Sequence, residues 1–142
     1  MNPSTGTTKP VPGPAEVSQT YPFLFFDRVL TQTPNSLELL KNISTDEWSS
    51  PLQGPMPGWA VLEVMAQAAG RLGQALEAGT PYRFCVLSRI KRARFRRAVH
   101  PGDQLRISTR LIKSFERSLA LRVAVRTEAG RIANADFYFF RF

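Results

Sequence analysis

The chain has 142 residues, 43% of them hydrophobic, with a net charge of +8 and a pI of about 10.6. That is one domain's worth of chain with enough apolar content for a core, and it holds no run of ~18 apolar residues able to span a bilayer. A single cysteine excludes an internal disulfide, and one cysteine with one histidine leaves a protein-only zinc site short of ligands.

Residues 1–19 are rich in Pro, Gly, Ser and Thr with little to bury, which predicts a disordered tail ahead of a single domain over 20–142. No basic stretch leads into an apolar core at the N-terminus, so no secretory signal is read and a cytoplasmic protein is expected. Residues 21–26 are aromatic and predict a turn or short helix, followed by a strand over 28–33. Pro34-Asn35-Ser36 signals a turn, and 37–44 can pair back as a hairpin strand. Residues 45–55 are polar and hold prolines, which predicts a loop, with Trp48 pinning it to the body.

A long apolar segment then opens at Met56-Pro57-Gly58 and runs to Gly79. Proline or glycine suits a helix's first turn, and a glycine ends one well. Trp59, Leu62, Met65, Ala69 and Leu72 follow helical spacing, as do Val61, Val64, Ala68 and Leu76. Two apolar stripes predict a helix covered on most sides, with Trp59 as a packing anchor. One acid, Glu63, lies in this segment, and a carboxylate there costs free energy unless it is paired, hydrated or used.

Beyond Pro81 the period is two. Residues 82–90 and 92–98 predict one long strand or two joined by a bulge, and His100-Pro101-Gly102-Asp103 a turn. Alternating strands follow at 105–111, 119–125 and 132–142. The expected fold class is α+β: a curved antiparallel sheet wrapped around a central helix, whose free edge favours dimerisation. Cys85 is expected as a buried small apolar residue.

Three stretches in this order resemble the hot-dog-fold 3-hydroxyacyl-ACP dehydratases of fatty-acid synthesis. They are 21–29 (YPFLFFDRV), the helix from Met56-Pro57-Gly58 through Glu63 to Gly70, and 93–99 with Pro101-Gly102-Asp103. The resemblance implies a hot-dog fold, at least a dimer, acting without a cofactor or metal on acyl-carrier-protein-bound thioesters. It places Glu63 at the family's catalytic helix acid and Gly58 at the N–H that polarises the thioester carbonyl. It also implies a catalytic histidine in the loop before the helix, contributed across the dimer interface. Aligned without a gap, that position holds Ser49, and the chain's one histidine, His100, lies in a later turn. Serine is no base at neutral pH, so Glu63 and Gly58 leave dehydration without its second proton carrier.

The first reading is therefore a histidine-less subunit that completes a site with a histidine-bearing paralogue, in a heteromeric dehydratase of a polyene, polyketide or fatty-acid-like pathway. The alternatives are a hot-dog acyl thioesterase using Glu63, a non-catalytic stabilising subunit, and self-association as a homodimer. Tyr82, Phe84 and Leu87 are candidates to line an acyl tunnel, or else plain core. The basic run Arg89, Lys91, Arg92, Arg94, Arg96 and Arg97 reads as a dock for acidic acyl carrier protein or as a solvated strand. It lacks the signatures of nucleic-acid-binding folds, so neither nucleic acid nor membrane insertion is expected.

Overall fold

The computed structural model of the chain describes residues 25–45, 54–83 and 85–142. The tail at 1–19, the stretch before residue 25, the loop with Trp48 and Ser49, and Phe84 lie outside the described residues. Two strands, β1 (Arg28–Thr33) and β2 (Ser36–Asn42), come first, then one helix, α1 (Gly58–Glu77). Four strands follow: β3 (Cys85–Phe95), β4 (Gln104–Ser114), β5 (Ser118–Thr127) and β6 (Gly130–Arg141). The strands form a single antiparallel sheet in the order β1-β2-β4-β5-β6-β3. The helix packs on β2 through β6, as a sheet wrapped around a central helix requires.

The predicted elements form for the expected local reasons. Ala-rich α1 starts after Pro57, whose carbonyl accepts from Ala60 and Val61 N–H, and stops before Gly79 at φ +82, a conformation glycine adopts without strain. In the strands, alternation sorts side chains to two faces. Partners across an antiparallel pair share a face, so Thr109, Val123 and Ala135 form one row, all buried toward α1. The next row, Arg110, Arg122 and Asp136, faces away from the helix. The core is built from the inner rows and from Val61, Val64, Met65, Ala68 and Leu72 of α1.

One helix expectation fails. Trp59 is 65% exposed instead of anchoring the core, because α1 is covered by a sheet on one side only. Trp59, Leu62, Glu63, Ala66 and Gly70 follow one another along the less covered side.

The long third strand is a single element with two bulges. The register slips between Leu87 and Arg89 and again between Lys91 and Arg94, where Arg92 takes φ 55. A bulge adds a residue and re-aims those beyond it. Lys91 pairs with Asp136 and Arg94 with Asn134, so these two side chains share the outer face although three residues apart. Regular pairing ends at Phe95, short of the expected residue 98.

On the outer face Arg122 grips Asp136 with two hydrogen bonds, Nε to Oδ1 at 2.7 Å and Nη2 to Oδ2 at 3.1 Å. Those bonds hold the Asp136 carboxyl below its usual range against the opposing effect of burial, helped by the charges of Arg122, Arg92 and Arg110. A carboxylate lowered on folding contributes stability that is whole above the unfolded value of ~4 and is lost as pH falls through the folded one. Asp136→Asn should cost about 1–3 kcal/mol at pH 7, the range for a charge-assisted bond with one half-exposed partner. In urea titrations the gap between the two proteins should close as pH falls through the lowered native value, where the folded carboxylate also protonates.

Candidate functional site

Gly58 and Trp59, at the helix start, are the exposed residues of α1. Gly58 lies in open surface, and its N–H makes no hydrogen bond among the described residues. A side chain on Gly58 would meet nothing within 4 Å, so packing within this chain does not require a glycine there. Among the described residues no side chain caps the helix, and its first turn holds no acid. The partial positive charge of the helix N-terminus is therefore not offset by a carboxylate in that turn. Beside it lies a cleft of about 340 Å3 lined by Met56, Gly58, Val61, Phe95, Arg96, Arg97, Ala98 and Val99. Met56 N–H donates to Val99 O at 2.7 Å and ties the helix entry to the segment after β3.

Glu63 stands five residues on, about 7.5 Å further along the axis, half-buried, with its side chain tilted back toward the helix start as helical geometry directs. Gln67, one turn later, donates from Nε2 to Glu63 Oε1 at 3.0 Å, and its own Oε1 accepts from Phe25 N–H at 2.8 Å. Gln67 is only 8% exposed. It therefore fixes one carboxylate oxygen, while Oε2 has no hydrogen-bond partner among the described residues. The chemistry available is an oriented carboxylate on the same helix as the open Gly58 N–H, suited to moving a proton near a developing oxyanion. Gln67 was not singled out in the sequence, although its spacing of four from Glu63 is the helical contact distance. Gln67→Leu would leave the Phe25 N–H and a half-buried carboxylate oxygen without it. The expected loss is about 1–3 kcal/mol, read as a lower urea midpoint at unchanged m.

The remaining candidates scatter. Tyr82 lies past the other end of α1, a helix of 20 residues, and so about 30 Å from Gly58. Its hydroxyl donates to Glu116 O, and Arg141 lies over its ring at 5.2 Å. Leu87 is 38% exposed on β3. The structure does not bring Tyr82 or Leu87 to the Gly58 cleft within one chain. Cys85 is half-buried against Gly73, and burial followed by the charge of Glu77 pushes its thiol up, away from a thiolate nucleophile. His100 sits exposed in the turn before β4, where its backbone N–H donates to Asp103 Oδ2 at 2.9 Å.

The basic run divides. Arg92, Arg94 and Arg96 line a basin on the outer sheet face, together with residues of β4, β5 and β6. Arg96 and Arg97 border the helix-start cleft, where Arg97 also donates to Ala129 O. Arg89 is exposed, and the Lys91 ammonium lies 5.5 Å from the centre of the Tyr138 ring. Among the described residues no group of His, Cys, Asp and Glu is placed to hold a metal, and no helix is long and apolar enough to cross a membrane.

Comparison with known proteins identifies the family of the chain. Residues 15–141 match the family described as ApeP-like, ApeP dehydratase. The 3-hydroxyacyl-[acyl-carrier-protein] dehydratase FabZ of Shewanella baltica is 43% identical over 101 residues, spanning 66% of this chain and 66% of its own. That of Shewanella sediminis is 42% identical over 100 residues, spanning 66% and 65%. The match thus covers just under two thirds of the length of these curated relatives. Among solved structures, the dehydratase heterocomplex ApeI:P from Xenorhabdus doucetiae superposes with TM-score 0.70 at 18% identity, over 87% of this chain and 86% of that one. A Streptococcus mutans protein bound to acetyl CoA gives TM-score 0.70 at 15% identity, over 82% and 88%.

Proposed function

This chain belongs to the ApeP-like dehydratase family, and from that premise we propose that it is one subunit of a heteromeric 3-hydroxyacyl-carrier-protein dehydratase. Glu63 serves as its acid–base group and the Gly58 N–H as its oxyanion donor. The observation that carries the reading is that α1 presents both the Gly58 N–H, without a partner among the described residues, and Glu63, with one oxygen held by Gln67 and the other without a partner among them, on its less covered side. Elimination of water from a 3-hydroxyacyl thioester removes the α-proton and protonates the departing hydroxyl. The electron pair passes through an enolate whose oxygen sits on the Gly58 N–H. Glu63 protonates the hydroxyl. A histidine takes the α-proton, and it comes from a second hot-dog subunit, since the chain's own His100 is not among the residues that line the cleft at Gly58.

Two features support that assembly. Strand β3 is a free edge of the sheet, and it exposes Val86 and Phe95, each at 49%, close in sequence to the cleft and tunnel candidates. The ApeI:P neighbour is itself a dehydratase heterocomplex by its description. The partner pairs along β3 and covers Leu87 and the Trp59 side of α1, so that the acyl chain lies between subunits with Tyr82, Phe84 and Leu87 as its tunnel candidates. The acidic carrier protein approaches the cleft through Arg96 and Arg97, the part of the basic run that borders it. Assaying a 3-hydroxyacyl carrier thioester with the co-purified subunits should yield enoyl thioester without free thiol. Thiol release that depends on Glu63 would instead establish the thioesterase alternative.

A further inference from the structure

The outer face of the sheet, opposite α1, carries a basin of about 620 Å3 that the dehydration chemistry does not use. Six arginines line it: Arg92, Arg94 and Arg96 from β3 and the residue after it, Arg110 from β4, Arg122 from β5 and Arg131 from β6. Among the described residues two carboxylates line it with them, Glu38 and Asp136.

Neighbouring rungs of the sheet show what is missing. Arg106 and Arg126 stand directly opposite each other, an arrangement that like charges make unfavourable. Glu38 lies between them, with its Oε1 3.6 Å from Arg106 and 3.9 Å from Arg126. Arg110 and Arg122 are opposed in the same way. Here the carboxylate, Asp136, spends both oxygens on Arg122. Arg110, Arg92, Arg94, Arg96 and Arg131 make no ion pair among the described residues. The concentration is built, not incidental: the bulge at Arg92 turns Arg94 onto the same face as Lys91.

We infer that this basin is a binding site for a small anion with adjacent phosphate groups, free or carried by a nucleotide. Guanidinium forks match phosphate oxygens bidentately and remain charged at any physiological pH. The volume suits a small molecule. Among the described residues the lining includes no Phe, Tyr or Trp on which bases of a nucleic-acid strand could stack. Its arginines come from separate strands and converge on one concavity, as a compact ligand needs. The basin shares Arg96 with the cleft at the helix start, but neither Glu63 nor Gly58 lines it, so failure of anion binding would say nothing about the dehydratase reading.

Titration calorimetry on the intact chain at fixed ionic strength, with inorganic pyrophosphate, ADP and sulfate, tests this. Saturable 1:1 binding of pyrophosphate is expected, with sulfate weaker by tenfold or more. Arg110→Gln and Arg131→Gln should each weaken it by roughly tenfold, the size of one charge-assisted contact, while Arg106→Gln, outside the basin, should not. ADP tighter than pyrophosphate assigns a nucleotide; equal affinity assigns the bare phosphates. Equal response to sulfate and pyrophosphate, indifference to Arg110→Gln and Arg131→Gln in variants that keep the parent melting temperature, or binding only of an acidic polypeptide such as polyglutamate would overturn it.

Discussion

Glu63→Gln should reduce dehydration by the assembled heteromer by ~10²–10⁴-fold, the usual contribution of a positioned acid–base group. The amide keeps the shape of the carboxylate and can still bond to Gln67 after a flip, so the helix should fold and the subunits should still pair. The loss then belongs to proton transfer, and it should appear in kcat with little change in KM. Equal native mass and a melting temperature within a degree or two of the parent would separate this from assembly failure. Full activity in the Glu63→Gln heteromer would mean that this chain supports its partner without taking part in chemistry.

The second large effect lies in the core. Phe137 on β6 is fully buried, opposite Leu121 of β5 and Ile90 of β3, on the sheet face that packs against α1. Phe137→Ala removes the ring at the junction of the edge strand with the rest of the sheet. The expected cost is about 3–5 kcal/mol from lost burial and the remaining cavity. That is a large fraction of a typical domain stability of ~5–15 kcal/mol. Urea unfolding should show it as a sharply lower midpoint. A shift of less than about 1 kcal/mol would mean that the sheet collapses around the gap, against the tight packing inferred for this face.

These two residues were not equally legible beforehand. Phe137 falls in the alternating strand read over 132–142 without being singled out there, and the fold class, the helix and the strand order in sequence follow from periodicity. Glu63 stands out as the one acid in an apolar helix, and its role rests on the family's motif. Period-two reasoning fails at β3, because a bulge breaks the parity it assumes. The basic run therefore reads as one surface, when the structure sends Arg94 outward and leaves Arg97 beside the helix start. The arginine basin was illegible for a different reason: Arg110, Arg122 and Arg131 meet Arg92 only through strand pairing, and no local spacing records that. Trp59 followed the apolar spacing of a buried stripe, yet in the single chain it lies on the side the sheet does not reach.

The central claim is that Glu63 completes a site with a histidine from another subunit. It is tested most directly by mixing this chain with a histidine-bearing hot-dog subunit whose own helix carboxylate has been changed to the amide. Neither protein alone then holds both proton carriers, and the only complete site is the one across the interface. The account predicts that enoyl-thioester formation, absent from each protein alone, appears on mixing and saturates at equal amounts of the two subunits. Complex formation without activity, or equal activity from this chain by itself, would contradict it.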